Sequence, residues 1–298
     1  MTAPRISVVV PTYNRLDTLR HVIPSLLAQD LRRGEFEVLV ADSNSTDGTT
    51  EYLAGVAAGH PFVRHLPGPY TGRAMARNAG IAAAQGRIVL FTDADIIASS
   101  DLLSRHLAHH ENGAARAVVG MEVQVDSFED YLAKKSHQAL RAPLHGRKPK
   151  KLSWLYFLTG NASAPKAELD RVGRFDEDFT GYGHEDLELG YRLQRGGVPI
   201  VYEPGAVNYH WHPVPWDEQQ RKYELAGRST VRFHRKHKTF DVQLRLGMTS
   251  VSLALHRLVE RSPALENWIE RGAGQPGLAR TLSYQYHYLT GVKAALRG

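Results

Sequence analysis

The chain of 298 residues contains no cysteine, and this absence removes several kinds of chemistry at once. Without cysteine there is no disulfide, no thiolate nucleophile and no zinc site with sulfur ligands. Any metal ion that binds must therefore be held by oxygen and imidazole ligands.

The sequence also lacks a hydrophobic run that could span a membrane, which takes about 18 or more consecutive apolar residues. Its first apolar run, Ile6–Val10, is closed by Pro11 and is too short for a signal segment. We therefore expect a cytoplasmic protein.

Charge of neither sign dominates the composition. The chain has 37 Lys and Arg residues against 31 Asp and Glu residues, which gives a formal net charge of +6. This modest excess favours anionic partners such as nucleotides, phosphate groups or acidic lipids, and we expect no nucleic-acid partner. The hydrophobic content of 42% is that of an ordinary globular protein, and the length suits one large domain or one and a half.

What the first third of the chain contains is a repeated alternation of short apolar strands and helical patterns. Four such β-α units predict an α/β fold, in which helices flank both faces of a parallel sheet. Ligands of such sheets bind beyond the carboxyl ends of the strands, where polar residues cluster here. The four strand patterns are Ile6–Val10, Phe36–Ala41, Phe62–Leu66 and Arg87–Ile97.

The fourth strand pattern is interrupted by two carboxylates, Asp93 and Asp95. A buried Asp is costly unless it is paired, hydrogen-bonded or bound to a metal, so the pair indicates a site. If the strand continues, both side chains share one face and could bind one cation. A turn there would separate their roles, and a polar strand end that caps the next helix is the alternative.

The sequence after the fourth strand shows a less regular pattern of helices and strands. We expect residues 1–215 to form the catalytic domain and residues 216–298 a helical extension packed on it. His106, His109 and His110 are predicted to form one solvated helix face. The other predicted elements are a helix over Leu102–His110, a strand over Ala117–Val125, a mobile basic loop over Arg141–Lys151 that is either a lid or solvated surface, a strand over Leu155–Ala164, a helix over Leu187–Arg195, two strands over Val198–Tyr202 and Ala206–His210, and helices over Asp217–Lys238, over Asp241–Glu270 and from Leu278.

Five motifs in this order resemble those of the family 2 glycosyltransferases with the GT-A fold. They are Pro11–Arg15, Asp42–Thr49, Ala76–Gly80, Asp93–Asp95 and Gly183–Asp186. Each motif alone is weak, but the ordered set spans residues 6 to about 212. The resemblance implies a GT-A domain with a mainly parallel, mixed sheet, which binds a nucleotide-sugar and a divalent cation, Mn²⁺ or Mg²⁺, and inverts the anomeric centre.

Several residues of these motifs suit a nucleotide-sugar, and a UDP-sugar is favoured. Pro11, Thr12 and Tyr13 would frame a uracil-like ring, and the Asp42 carboxylate could accept its imide N–H. A guanidinium pairs well with a phosphate anion, and solvated surface is the alternative role. Arg15 and Arg77 are assigned to the phosphate oxygens. The other residues assigned to the nucleotide-sugar are Arg73, Asp93 and Ala94.

The resemblance assigns the metal and the base as well. It implies that Asp95 ligates the cation and that a histidine after the late strand completes the site, with His210 preferred and His212 second. The family pattern places the catalytic base at Asp186 and leaves Glu185 for acceptor or sugar hydroxyls. Helix capping is a compatible role for both carboxylates.

Two other classes of protein remain open. A metal-dependent sugar nucleotidyltransferase uses a similar sheet, although it usually has a Gly-rich basic loop after the first strand. A non-catalytic nucleotide-sugar-binding module is the second alternative. The acceptor is expected to be a hydroxyl of a glycan, a lipid-linked sugar or a small natural product. The basic C-terminal part could contact the inner face of an anionic membrane, form a homodimer or be a solvated helical cap.

Overall fold

A computed structural model describes residues 3–111, 113, 115–136, 150–211, 213–272 and 277–297. His212 and most of the predicted loop over Arg141–Lys151 lie outside the described residues. The chain divides into two compact units, the first with residues 1–180 and 185–213 and the second with residues 181–184 and 214–298. The predicted domains at 1–215 and 216–298 stay a prediction.

The first unit begins with four parallel strands, β1 (Ile6–Thr12), β2 (Phe36–Asp42), β3 (Val63–Pro67) and β4 (Ile88–Phe91). β1 pairs in parallel with both β2 and β4, and β3 pairs in parallel with β2. β1 is buried along its whole length because it lies between two strands of the sheet. The helices that follow the first three strands are α1 (Leu16–Leu27), α2 (Thr49–Gly59) and α3 (Arg73–Ala83).

The remaining strands of the first unit complete a mixed sheet. They are β5 (Ile96–Ala98), β6 (Ala117–Val125), β7 (Lys150–Leu152), β8 (Ala162–Pro165) and β9 (Ile200–Trp211). The strand order among the described residues is β3-β2-β1-β4-β8-β6-β9-β5, with β7 also paired to β9. The α/β fold class is confirmed. The helices of this part are α4 (Leu102–Ala108), α5 (Phe128–Ser136), α6 (Lys166–Arg171) and α7 (Glu185–Arg195).

Helical periodicity explains how the helices of this unit pack. α1 buries Leu19, Val22, Ile23 and Leu26, which recur at intervals of three and four residues and therefore share one face. These side chains belong to one hydrophobic cluster with the strand residues of β1 and β2. α1 is thus packed on the sheet through this one face.

The predicted strand over Leu155–Ala164 is wrong for its first half. Trp154–Tyr156 forms a short 3₁₀ helix, and β8 begins only at Ala162. Trp154 and Phe157 are both buried, and a spacing of three residues brings side chains together in a helical turn rather than in a strand. The Ser153 side chain also caps the turn by accepting a bond from the backbone N–H of Leu155.

The two predicted late strands are one strand, β9. Its parallel register with β6 shifts between Gly120, which faces Glu203, and Met121, which faces Val207. The extra residues of β9 form an irregularity that accommodates Pro204, which has no N–H to donate to the ladder. The pattern of breaker residues therefore marked a bulge and not the end of a strand.

The predicted solvated histidine face of α4 is wrong. His106 and His110 are buried, and both rings bond to the Ser163 hydroxyl of β8 at 2.9 Å. His106 Nε2 also lies 2.9 Å from Asn161 Oδ1, while half-buried His109 contacts Glu203. α4 packs on β9, so its polar residues face a network of hydrogen-bonding partners and not water.

The second unit is helical, as predicted, but the single helix over Asp241–Glu270 is wrong. Gly247 has a left-handed φ of 67°, and the Thr249 side chain caps a new helix, so the segment forms three helices. None of the helices in the described part of the chain is both long and apolar enough to cross a membrane. The helices are α8 (Trp216–His237), α9 (Phe240–Arg245), α10 (Ser250–Glu260), α11 (Pro263–Gly272) and α12 (Leu278–Arg297).

α8 and α12 approach each other at two glycines. A Cβ atom at Gly227 would collide with the backbone at Tyr288, and one at Gly291 would collide with the backbone at Glu224. Since only glycine permits this separation, the two long helices pack backbone to backbone.

Candidate active site

The polar ends of β1 and β2 lie side by side at one edge of the sheet. Thr12 and Asp42 are partners in the parallel register, and both are buried. The loops that follow are joined by hydrogen bonds, since Asn14 N–H donates to Ser45 Oγ and Thr46 N–H donates to Asn14 Oδ1, each at 2.8 Å. The predicted nucleotide-binding loops therefore form one connected surface.

Asp42 is held by its own loop. Its Oδ1 accepts bonds from the N–H and hydroxyl of Ser45, and its Oδ2 accepts one from the Thr50 hydroxyl at 2.6 Å. His65 Nε2 lies 3.5 Å from the same Oδ2. These contacts fix the carboxylate, and its predicted bond to a base stays a prediction.

Asp93, Ala94 and Asp95 form a turn between β4 and β5, in which Ile96 N–H donates to the Asp93 carbonyl at 3.2 Å. The predicted strand over Arg87–Ile97 therefore ends at Phe91, and of the two alternatives for the carboxylates the turn is the one observed. Asp93 Oδ1 lies 2.8 Å from Arg77 Nη2, whereas Asp95 Oδ1 lies 3.6 Å from His210 Nε2. The turn gives the two carboxylates different partners.

Arg77 on α3 connects two parts of the site. Its side chain is 2% exposed, and its guanidinium donates to Asp93 and, at 2.9 Å, to Glu185 Oε1 at the start of α7. Arg73, one turn earlier and partly exposed, has its Nε 3.6 Å from the same oxygen. Two carboxylates thus compensate a buried cation, and the predicted contact of Arg77 with phosphate stays a prediction.

Glu185 and Asp186 open α7 and differ in their proton affinity. Burial acts to raise the pKa of Glu185, but Arg73 and Arg77 outweigh it and hold that pKa below its ordinary value. Burial and the adjacent Glu185 charge raise the pKa of half-buried Asp186 to about 7. Glu185 is therefore a fixed anion, while Asp186 can exchange a proton near neutral pH.

His210 and Asp95 meet where β9 pairs with β5. Ile96 and His210 are register partners, and Trp211 N–H donates to the Asp95 carbonyl at 2.9 Å. Although burial acts to lower it, hydrogen bonds with Asp95 and Glu122 raise the pKa of His210 to about 10. Arg15, with a 41% exposed side chain, has its Nη2 4.0 Å from the other Asp95 oxygen.

The Asp95–His210 pair fits a divalent cation in its chemistry and spacing. Carboxylate and imidazole are ligands of Mn²⁺ and related ions. Two ligands with bonds of about 2.1 Å to one ion lie roughly 3 to 4 Å apart, and this pair is separated by 3.6 Å. Within the described ranges no three His, Asp or Glu side chains form a metal-binding group, so the pair would need further ligands from a substrate or water.

Glu122 is the site residue that sequence reasoning missed. Its Oε1 lies 3.2 Å from His210 Nδ1, on the ring edge away from Asp95. Strand β6 was predicted correctly, and alternation places Glu122 and Gln124 on one face. The partner strand was not predictable from that pattern, so nothing in the sequence paired Glu122 with His210.

Of the other predicted residues, Tyr13 is 59% exposed, and buried Ala94 lies in the turn between the two aspartates. Pro11, like Thr12, lies in the buried end of β1. The structure thus gathers the predicted residues around the ends of β1, β2 and β4 and the start of α7. His212 lies outside the described residues.

Comparisons with known proteins identify the family of this chain. Residues 7–173, more than half of the chain, match the family model described as glycosyl transferase family 2. The validoxylamine A glucosyltransferase of Streptomyces hygroscopicus subsp. jinggangensis is 31% identical over 91% of this chain and 70% of its own length. The uncharacterized glycosyltransferase YfnE of Bacillus subtilis is 28% identical over 70% of this chain and 65% of its own length. The chain thus spans about two thirds of the length of these two relatives.

Solved structures show the same fold. The mannosyltransferase PcManGT from Pyrobaculum calidifontis, in complex with GDP-Man and Mn²⁺, superposes with a TM-score of 0.69 at 20% identity and covers 99% of this chain and 88% of its own. S. aureus TarS 1-349 in complex with UDP gives a TM-score of 0.57 at 19% identity. The superposition covers 99% of this chain and 92% of the TarS chain. The family-model match and the relative with 31% identity establish that the chain belongs to glycosyl transferase family 2.

Proposed function

We propose that this protein transfers a hexosyl group, with inversion, from a nucleotide-sugar to an acceptor hydroxyl. The observation that carries the proposal is the chain of contacts from Asp95 to Asp186. Asp95 pairs with His210 and is separated only by Ala94 from Asp93, which Arg77 joins to Glu185, the neighbour of Asp186. A cation-binding pair and a titratable carboxylate are thereby connected through one buried guanidinium.

The proposed donor is a UDP-sugar. The connected loops after β1 and β2 offer exposed Tyr13 and half-exposed Arg15 beside buried Thr12 and Asp42. Solved neighbours were obtained with UDP, with UDP-GlcNAc and with GDP-Man. The name of the Streptomyces relative supports a hexose as the transferred sugar.

Asp95 and His210 are proposed to hold a divalent cation, Mn²⁺ or Mg²⁺. The PcManGT structure, which contains Mn²⁺, supports this assignment. A cation bound there would neutralise the negative charge that grows on the diphosphate as it leaves. Arg15, with its guanidinium 4.0 Å from Asp95, would add a positive charge on the same side.

Asp186 is proposed as the base. As the acceptor oxygen forms a bond to the anomeric carbon, the bond from that carbon to the diphosphate oxygen breaks, and the diphosphate leaves with the electron pair. The acceptor proton passes to the Asp186 carboxylate. A pKa of about 7 makes this carboxylate a better base than an ordinary Asp, while Glu185, held as an anion, is left to orient hydroxyl groups.

The acceptor is proposed only as a hydroxyl of a glycan, a lipid-linked sugar or a small molecule. A nucleotidyltransferase and a non-catalytic binding module remain the competing functions. Incubation with UDP-sugars and Mn²⁺, analysed by chromatography, separates the three. Slow release of UDP supports a glycosyltransferase. Formation of UTP and a sugar 1-phosphate when pyrophosphate is added indicates the second class, and binding without turnover indicates the third.

The D95N variant tests the metal assignment in the same assay. Because the neutral amide is a poor ligand, we expect Mn²⁺-dependent UDP release to fall at least about 100-fold. D170N is the matched control, since Asp170 forms surface ion pairs with Lys166 and Arg174. Unchanged activity of D95N would contradict the assignment.

A further inference from the structure

The ring of His210 lies between two carboxylates, one at each nitrogen. Nε2 is 3.6 Å from Asp95 Oδ1, and Nδ1 is 3.2 Å from Glu122 Oε1. The two ring nitrogens point to opposite edges of an imidazole, so Asp95 and Glu122 cannot exchange roles without turning the ring. The Asp95 edge faces the proposed cation, and the Glu122 edge faces away from it.

We propose that Glu122 is a positioning residue that orients His210 for metal binding. In this arrangement Nδ1–H donates to the Glu122 carboxylate, so Nε2 is the ring nitrogen that faces Asp95 and the proposed cation. A carboxylate behind a histidine ligand fixes the tautomer of the ring and increases its basicity. The inference rests on the proposed function, because it takes Asp95 and His210 as the metal pair.

Neighbouring residues hold Glu122 in this place. Gln124 Nε2 donates to Glu122 Oε1 at 2.7 Å and lies 3.1 Å from His210 Nδ1. The ladder between β6 and β9 places Gln124 opposite His210 and Glu122 opposite Asn208. Glu122 and Gln124 thus come from one face of β6, and sheet hydrogen bonds fix their separation from β9.

Gly160 provides the space that the carboxylate occupies. A Cβ built on Gly160 would lie 2.6 Å from Glu122 Oε2, closer than real Cβ contacts allow. The Gly160 carbonyl accepts a bond from Asn208 Nδ2 at 2.7 Å, which holds the glycine against β9. The absence of a side chain at this position thus leaves room for the Glu122 conformation.

The test is the affinity for Mn²⁺ in the presence of saturating UDP, measured from free Mn²⁺ by electron paramagnetic resonance. For E122A we expect the Kd for Mn²⁺ to increase about 10- to 100-fold, with UDP affinity in EDTA unchanged. E203Q is the matched control, because Glu203 forms a similar contact with His109 at the other end of β9. Thermal unfolding of each variant checks that the fold is retained.

A double-mutant cycle separates positioning from direct ligation. If Glu122 acts through His210, then E122A should change the Kd by less than about twofold in an H210A background. An equal effect in both backgrounds would overturn the inference, because Glu122 would then act independently of the ring. If D95N and H210A both bind Mn²⁺ like the wild type, or the wild type does not bind it, the proposed metal site itself is wrong and the inference falls with it.

Discussion

At the scale of single residues, Arg77 is the side chain on which the arrangement of the site depends. It is buried, and it bridges Asp93 after β4 and Glu185 on α7, two segments far apart in sequence. Without the guanidinium, two partly desolvated carboxylates would face each other. The same cation helps to keep Glu185 ionised, and the Glu185 charge in turn raises the pKa of Asp186.

Replacement of Arg77 should therefore be costly for stability. We expect R77M to lower the free energy of unfolding by about 3 to 5 kcal/mol, because removal of one member of a buried ionic group leaves its partners uncompensated. R73M is the control, since Arg73 is 41% exposed and interacts with the same Glu185 oxygen at 3.6 Å. Its cost should be about 1 kcal/mol or less. Equal losses in urea titrations would contradict this role of Arg77.

Asp186 leads to a prediction about pH. Only the deprotonated carboxylate can accept the acceptor proton, so kcat/KM should rise about tenfold per pH unit below pH 7 and level off above it. D186N should bind UDP like the wild type but lose transfer. A weakened UDP affinity in D186N, or a profile that is flat between pH 5 and 7, would show that Asp186 is not the base.

At the scale of elements, the histidines of α4 show how a helix can be tied to a sheet through buried polar groups. His106, His110 and Ser163 share hydrogen bonds, and Asn161 extends the network to the bulge of β9 by donating to the Ala206 carbonyl at 2.9 Å. Burial is the main cause that lowers the pKa of His106 to about 4 and that of His110 to about 3. Both rings are neutral in the folded protein.

This network should make the first unit sensitive to acid. The unfolded chain takes up protons near the ordinary histidine pKa of 6.5, whereas the folded chain does so only near 4 and 3. Stability should thus fall as the pH decreases below about 6.5, by up to about 1.4 kcal/mol per pH unit for each histidine. H110Q should reduce this dependence of stability on pH by the contribution of one histidine. H60Q, at a histidine outside the network, should leave the dependence unchanged. Urea titrations between pH 7 and 5 measure the slope, and an unchanged slope in H110Q would contradict the assignment.

At the scale of the whole molecule, charge is distributed unevenly. Residues 214–298 contain 14 of the 37 Lys and Arg residues but only 7 of the 31 Asp and Glu residues, so the positive excess lies in this part. α10 also exposes three apolar side chains at helical spacing, Val251, Leu255 and Leu258, with exposed fractions of 59% to 68%. A basic segment that also exposes an apolar helix stripe is typical of proteins that lie on anionic membranes.

We therefore predict reversible binding to anionic lipid vesicles. The chain should co-sediment with vesicles that contain phosphatidylglycerol and less with purely zwitterionic ones, and binding should weaken as salt is increased. The double variant L255E/L258E should reduce binding, whereas L132E, at an exposed leucine of α5, should not. A solvated cap would bind neither kind of vesicle, and a homodimer that buries the stripe would instead appear in light scattering as twice the monomer mass.

The sequence by itself was sufficient to locate the first four strands, and the family resemblance predicted one candidate site that includes Asp42, Asp93, Asp95, Asp186 and His210. Hydrophobic runs and breaker residues are local signals, and the carboxyl ends of parallel strands must share an edge of the sheet. The order of motifs was enough for the family. Local signals also located β6 and the two long C-terminal helices within one or two residues.

Only the tertiary structure decided which residues meet. It turned the chain between Asp93 and Asp95, placed Arg77 between two carboxylates, buried His106 and His110 instead of solvating them, and brought Glu122 to the back of the His210 ring. These outcomes depend on pairings between β4 and β8, β6 and β9, and β5 and β9, which join distant segments. Sequence periodicity specifies which face of an element is buried but not the element that covers it, and that choice is made by the packing of the whole unit.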